Sequence, residues 1–273
     1  MQTMLDYVES IVREASQLLI DEVQRPDGPR GEGMKADVDA EIGAFLTERL
    51  GRQYPDAGIV CEEGGSKDGK GKQVFYVDPN DGTRDFLLGR RENSISVGLA
   101  ENGEITLGVV YAPFATELTG PEGMMITWAK GEPIRHNGTT VEPLSSPNDI
   151  QDDSVILIST RVQGEKLDAN EKLLAPATLK ACPSIATRLC LAAVGKVTAA
   201  GTAMNPLNPW DFAAAQGILQ AAGGDVVGNE GKPIEWSGVA LKDKPQTIYF
   251  GARSVPFAAE IVKRLTPLLP TQE

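Results

Sequence analysis

The sequence predicts an α/β protein built in two lobes, residues 1–145 and 146–273. Three observations carry that expectation: apolar stripes of helical period at the N-terminus, a series of short apolar runs between turn residues from about 58 to 129, and a turn-rich linker at Pro143–Asp153 after which strand and helix patterns begin again. With 273 residues the chain can bury a sizeable core, and at 41% hydrophobic and 23% charged it belongs to the soluble globular class.

Leu5, Val8, Val12, Ala15, Leu18 and Leu19 recur at helical spacing, so a helix is expected over roughly residues 2–24. Pro26, Gly28, Pro29, Gly31 and Gly33 break it and read as a mobile loop. Ile42, Phe45, Leu46 and Leu50 form the apolar face of a second helix with Asp37 at its start, where a carboxylate complements the helix dipole. Gly58–Cys61 reads as a strand delivering Glu62-Glu63 into a glycine loop, with Lys67, Lys70 and Lys72 in an exposed stretch after it. Val74–Val77 is a buried strand. At Asp78-Pro79-Asn80-Asp81-Gly82-Thr83 the chain is expected to leave strand pairing and turn. A helical turn at Arg84–Gly89, a hairpin of Ser94–Ala100 and Ile105–Tyr111 around Asn102-Gly103, and strands near Ala115–Thr119 and Gly123–Ala129 complete the first half. In the second, Val155–Ile158 is a strand and Ile185–Ala193 a helix, and Pro209 opens a further helix stopped at Gly223-Gly224.

Several functions are disfavoured at this stage. A net charge of −12 argues against a nucleic-acid backbone as the partner. No apolar stretch reaches spanning length, and Met1–Ser10 lacks the basic start and apolar core of a signal peptide. Cys61, Cys182 and Cys190 are odd in number and unclustered, which fits reduced thiols in a cytoplasmic protein. The single His136 sits in a turn-like segment; a Ser-His-Asp triad or a histidine–metal site would have to use it, and a surface turn is the better reading. The pair Arg90-Arg91 reads as an exposed basic pair, with a substrate phosphate as the alternative.

The chemistry is concentrated in Asp78–Thr83. Two carboxylates three residues apart can converge on one point, where they repel or take up a proton unless a hard cation neutralises them. Gly82 allows close backbone approach and Thr83 adds a hydroxyl at the start of a helical turn, which sets an anion site beside a cation site. An EF-hand fails on spacing, because its sixth and twelfth positions would be Thr83 and Gly89. An Asp-x-Asp-Gly-Thr phosphatase motif fails because Pro79 stands where its nucleophile belongs. Asp-Pro-Asn-Asp-Gly-Thr, completed by Phe86, resembles the first motif of the inositol monophosphatase superfamily. Trp210-Asp211-Phe212-Ala213-Ala214 followed by Ala222-Gly223-Gly224 resembles the second, about 130 residues on.

The resemblance implies a layered α/β sandwich (αβαβα) with mixed and antiparallel sheets, and a Mg²⁺-dependent phosphomonoesterase with its site between the lobes. It implies Glu62, Asp78, Asp81 and Asp211 as ligands to two or three Mg²⁺ ions, with the Asn80 carbonyl as a further oxygen. Asp37 and Glu63 would support a weaker ion or its waters, although capping alone would explain Asp37 and a solvated acidic loop would explain Glu62-Glu63. Thr83, oriented by Asp37, would position and deprotonate a water, and the Gly82 and Thr83 amides would take a phosphate oxygen. Ser184, Ala186, Thr202, Met204 and Asn205 are the candidates for the substrate wall. The expected partner is a small phosphorylated metabolite, with no nucleic-acid polymer and no membrane. Calcium inhibition, lithium sensitivity and a homodimer follow from the resemblance alone. Thr83-Arg84-Asp85-Phe86 is closer to the nucleotidase branch, and no acidic residue stands between Lys196 and Trp210 to accept a polyol's hydroxyls. A catalytically silent regulator on the same fold is the rival reading.

Overall fold

The computed structural model describes residues 2–145, 148–203, 208–237, 240–241 and 248–268. The first helix, α1 (Met4–Val23), is capped by Thr3, whose Oγ1 accepts from the Asp6 amide while the Asp6 carboxylate accepts from the Thr3 amide. Of the glycine- and proline-rich stretch expected as a loop, residues 26–30 are turn and coil, while Gly31–Glu32 form β1 and pair with β2 (Lys35–Ala36) in a two-stranded ribbon. Arg30 holds its base by pairing with Glu22 at 2.7 Å and Glu41 at 2.9 Å. Helix α2 (Asp37–Gln53) follows directly.

A seven-stranded sheet comes next, in spatial order from β3 to β9: β3 (Gly58–Cys61), β4 (Gln73–Asp81), β5 (Ser94–Glu101), β6 (Glu104–Ala112), β7 (Met124–Ala129), β8 (Arg135–His136) and β9 (Thr139–Thr140). Only β3 and β4 run parallel within it; the other neighbours are antiparallel. Helix α3 (Thr83–Leu87) interrupts the path from β4 to β5. The expected strand at Ala115–Thr119 is a closed turn, with the Thr116 carbonyl accepting from Gly120 and Thr119 Oγ1 donating to the Phe114 carbonyl.

The second half builds a five-stranded sheet in the order β11-β10-β12-β16-β13. Its strands are β10 (Val155–Ile158), β11 (Thr178–Ala181), β12 (Ala199–Ala203), β13 (Asp225–Val227) and, after the small β14 (Trp236–Ser237) and β15 (Ala240–Leu241) pair, β16 (Ile248–Ala252). Helices α4 (Glu165–Leu174) and α7 (Val255–Leu265) cover its outer face, while α5 (Ile185–Ala193) and α6 (Pro209–Ala221) fill the space between the sheets. Helices α1 and α2 cover the far side of the first sheet, so the order is α/β/α/β/α, a layered sandwich.

Alternation along the strands explains the layering. On β4, Phe75 and Val77 enter the core under α1 and α2, whereas Val74 and Tyr76 face α5 and α6. Close approach of α6 depends on glycine: a Cβ at Gly98 would stand 2.7 Å from the Ala214 nitrogen, and one at Gly108 2.5 Å from the Ala214 carbonyl oxygen. This contact sets the height of α6 over the sheet, and with it the position of Asp211. Cys61, Cys182 and Cys190 are free and buried, and no helix among the described residues is long and apolar enough to cross a membrane.

Candidate active site

The expectation that the chain leaves the sheet at Asp78 is corrected by the structure. Strand β4 continues to Asp81 through a β-bulge: Asp78 pairs with Ser96 and Asp81 with Ser94, so one extra residue is absorbed on the β4 side. Pro79 is tolerated because the bulge does not need its missing N–H. The Asn80 amide donates to Asp78 Oδ1 at 3.0 Å, and Gly82 at φ 98° turns the chain into α3. Both carboxylates thus emerge at the end of a buried strand; Asp78 is 1% exposed and Asp81 9%.

Asp211 meets them from the other sequence motif. One carboxylate oxygen from each of Asp78, Asp81 and Asp211 lies within 4.8 Å of the others. Burial and mutual repulsion hold Asp78 well above the usual carboxylate range, with Glu62, Asp81 and Asp211 adding to the burial. Asp211 is raised in the same direction by burial and then by Asp81. Asp81 is raised less simply: burial is opposed by Ser184 Oγ at 2.5 Å and the Ala186 amide at 2.7 Å, both donating to its Oδ2. The Glu62 residue is largely exposed, yet its carboxyl group is desolvated against the cluster and pushed up to about 7, with contact to Asp78 opposing the shift. A convergent, oxygen-only, buried and electrostatically frustrated donor set fits a hard divalent cation.

Beside the triad stands Thr83. Its Oγ1 lies 2.8 Å from Asp39 Oδ2 and 2.9 Å from the Asn80 carbonyl, with a single proton to give. Asp39 also accepts from Asn80 Nδ2 at 2.8 Å, and Asn93 Nδ2 donates in turn to Asn80 Oδ1. Asp39 is 1% exposed, and burial pushes its carboxyl group up to about 6. The residue that orients Thr83 is therefore Asp39, not the expected Asp37, which is exposed on the first position of α2.

The substrate-wall expectations divide. Thr202, at the end of β12, is buried and lines the cleft. Ser184 and Ala186 are completely buried behind Asp81 and hold its carboxylate, so neither is on the wall. Met204 and Asn205 lie outside the described residues. Glu63 is half-buried and does not line the cleft, whereas Glu62, Asn80, Gly82 and Thr83 do. Arg90 is engaged by the buried Asp85, and Arg91 lies 5.6 Å from the rings of both Phe86 and Phe114, so the basic pair is structural. Sequence reasoning missed Ser159, Arg161 and Met34, which line the cleft from segments without a motif.

A layered α/β/α/β/α sandwich that brings Asp78 and Asp81 from the end of β4 together with Asp211 from the first turn of α6 fits the sugar-phosphatase class of folds. The chain belongs to the inositol monophosphatase family, which its sequence matches over residues 1–256. It is 30% identical over 236 residues to the fructose-1,6-bisphosphatase/inositol-1-monophosphatase of Thermotoga maritima, covering 84% of this chain and 86% of that protein. It is 29% identical over 197 residues to the Nus factor SuhB of Xylella fastidiosa, covering 70% and 67%. A solved structure of a Thermotoga maritima IMPase superposes with a TM-score of 0.76 at 26% identity, covering 97% of each chain.

Proposed function

We propose that this protein is a Mg²⁺-dependent phosphomonoesterase that cleaves a small phosphorylated metabolite by direct attack of water. The observation that carries the reading is the convergence of Asp78, Asp81 and Asp211 beside the Thr83–Asp39 pair. Asp78, Asp81, Asp211 and Glu62, with the Asn80 carbonyl, would hold two or three ions. When bound, these ions supply Lewis-acid stabilisation of phosphoryl oxygens and a lowered pKa for water. Thr83 donates its hydroxyl hydrogen bond to Asp39 and turns its lone pairs towards the cleft; as the attacking water passes one proton to Thr83 Oγ1, the Thr83 proton passes to Asp39, whose carboxyl group burial pushes up to about 6. The water oxygen bonds to phosphorus as the ester P–O bond breaks, and the leaving alkoxide takes a proton from solvent. The Gly82 and Thr83 amides orient a phosphate oxygen. Water is the nucleophile, so no phosphoenzyme forms. The same reading makes the protein a cytoplasmic homodimer of two lobes divided near residue 145, inhibited by Ca²⁺ and sensitive to Li⁺.

The test is a phosphate-release screen over inositol 1-phosphate, 3′-phosphoadenosine 5′-phosphate and fructose 1,6-bisphosphate, in Mg²⁺ and in EDTA. We expect release from at least one in Mg²⁺ and from none in EDTA; full activity in EDTA would overturn the mechanism. The gap in acidic residues from Lys196 to Trp210 supports the expectation that inositol 1-phosphate is not strongly preferred. The relative named as a Nus factor supports a second reading, a regulator without turnover. Retained Mg²⁺ binding with no release from any of the three substrates would favour that reading.

A further inference from the structure

Asp85 sits on α3 just beyond Thr83, is 4% exposed, and takes no part in the chemistry proposed for the triad. Both of its carboxylate oxygens are engaged. Oδ1 accepts from the Arg90 guanidinium, and Oδ2 accepts from Thr160 Oγ1 at 2.8 Å. The Arg90 amide also donates to the Asp85 carbonyl at 2.9 Å, so the chain after α3 folds back over this residue. A carboxylate gripped on one oxygen by a guanidinium presents the other in a set direction.

Thr160 comes from the other sheet. It follows β10 of the five-stranded sheet, whereas α3 lies between β4 and β5 of the seven-stranded one. Thr160 is 5% exposed, so the bond is shielded from water, and a hydroxyl donating to an ionised carboxylate is strong in such surroundings. Among the described residues it is the only hydrogen bond between α3 and the segment after β10. That segment is itself stiff. Ser159 Oγ accepts from the Arg161 amide at 3.3 Å, the Ser159 carbonyl from the Val162 amide at 3.0 Å, and the Thr160 carbonyl from Gln163 Nε2 at 2.9 Å. Ser159 and Arg161, the neighbours of Thr160, line the cleft together with Gly82 and Thr83. One buried bond therefore ties a cleft wall carried by one sheet to the turn that opens the cleft on the other.

We infer that Asp85 is a positioning residue, which through Thr160 holds the Ser159–Arg161 wall at a fixed distance from the Gly82 and Thr83 amides. This bond sets the width of the cleft where it receives the part of the substrate beyond the phosphate. Thr83, Asp39 and Asn80 are joined by their own hydrogen bonds, so the reacting groups stay in place when the wall is released. The inference rests on the phosphatase reading and adds a residue to it.

The experiment measures kcat and KM for the fastest of inositol 1-phosphate, 3′-phosphoadenosine 5′-phosphate and fructose 1,6-bisphosphate, with the inhibition constant of inorganic phosphate, all in Mg²⁺. The variants are Thr160→Val, Thr160→Ser, Asp85→Asn and the double variant Asp85→Asn/Thr160→Val. Thr160→Val keeps the shape and removes the donor. We expect it to raise KM at least about fivefold, with kcat and the phosphate constant within about twofold, the pattern of lost ground-state binding. Thr160→Ser keeps the hydroxyl and should stay within about twofold of wild type throughout. The double variant should be no worse than the worse single one, because both changes break the same bond. An unchanged KM in Thr160→Val overturns the inference, as does a phosphate constant that rises together with KM. Equal impairment in Thr160→Ser and Thr160→Val, or multiplying effects in the double variant, also overturns it. Should Asp85→Asn fail to fold, the two Thr160 variants decide alone. If no compound releases phosphate, the phosphatase reading fails on its own, and calorimetric dissociation constants of the same compounds and of inorganic phosphate replace KM and the inhibition constant. Compounds that wild type binds no more tightly than phosphate, or that wild type and Thr160→Val bind equally, then overturn the positioning role.

Discussion

Helices α2 and α6 begin in the same way and end up with different tasks. Each carries an aspartate at its third position, Asp39 and Asp211, whose Oδ2 reaches back to the amide of the residue before the helix, Ala36 or Asn208. Geometry at that position turns the carboxylate back over the helix start, so one residue can cap a helix and face whatever lies in front of it. In front of α6 lie Asp78 and Asp81, and Asp211 joins a triad of like charges. In front of α2 lie the Asn80 amide and the Thr83 hydroxyl, and Asp39 accepts hydrogen bonds from both. The first position of α2, Asp37, projects into solvent. The same local motif therefore supplies a proposed metal ligand in one place and a proposed proton acceptor in the other, and the difference lies wholly in what each helix points at.

The largest test of that contrast is Asp211→Asn, alongside Asp81→Asn. Each removes a negative charge from the donor set, and turnover should fall by at least about a thousandfold while the fold persists. Thermal melts should separate the role from the cap: wild type should gain stability with added Mg²⁺, and Asp211→Asn should gain much less. Near-normal activity at saturating Mg²⁺ would remove the metal-site assignment. Next in size is Asp39→Asn, for which we expect kcat to drop about a hundredfold or more with the Mg²⁺ requirement unchanged. Asp37→Asn should stay within about twofold of wild type, as surface substitutions do. Equal losses at positions 37 and 39 would collapse the distinction between them.

The aspartate pair also shows where the sequence stops being legible. The start of α2 was readable, but two carboxylates share its first turn, and only the path of β4 decides which one meets Thr83. The strands Gly58–Cys61 and Val155–Ile158 and helix Ile185–Ala193 were readable with the bounds they have, because apolar runs and glycine stops are local. The bulge at Asp78–Asp81 was not, since it depends on pairing with Ser94 and Ser96 on a later strand. Ser184 and Ala186 read as wall residues because they precede and open a helix near the site; their burial behind Asp81 follows from how α5 docks on the first sheet. Arg161 belongs to no motif and reaches the cleft through the tertiary fold alone.

A smaller effect concerns pH and stability without metal. Burial pushes the Asp39 carboxyl group up to about 6 and that of Glu62 up to about 7, above the ordinary carboxylate range, and raises Asp78 and Asp211 in the same direction. A carboxyl group with a raised folded pKa binds more protons folded than unfolded between the two values, so stability falls as pH rises through that window. In EDTA the melting temperature should therefore be higher at pH 5 than at pH 8, by about 5 °C, if global acid effects are matched using Asp39→Asn and Asp211→Asn as references. Mg²⁺ should reverse the trend, because it stabilises the ionised triad. A metal-free protein that becomes steadily more stable from pH 5 to 8 would show that the carboxylates are neutralised by protein groups.

The smallest expected effect tests how firmly Asp39 is aimed. Asn93 Nδ2 donates to Asn80 Oδ1, which leaves the Asn80 amide hydrogens directed at Asp39 Oδ1. That donation holds the Asp39 carboxylate with Oδ2 towards Thr83 and so favours transfer of the Thr83 proton to Asp39 over the competing Asn80 carbonyl. Asn93→Ala removes the donor that fixes the Asn80 amide without touching any carboxylate. Losing one buried hydrogen bond costs about 1 kcal/mol of stability, and a loosened Asp39 should lower kcat about three- to tenfold with KM and the Mg²⁺ midpoint unchanged. Asn93→Asp offers a sharper version: an acceptor facing Asn80 Oδ1 would turn the amide round, place its carbonyl oxygen against Asp39 and repel it. The loss of kcat should then exceed that of Asn93→Ala at pH 8 and shrink towards pH 5, where protonation of either carboxyl group restores a donor. Equal kcat for both variants at both pH values would mean that Asp39 is held by packing alone, and that the amide chain behind it has no part in directing the proton.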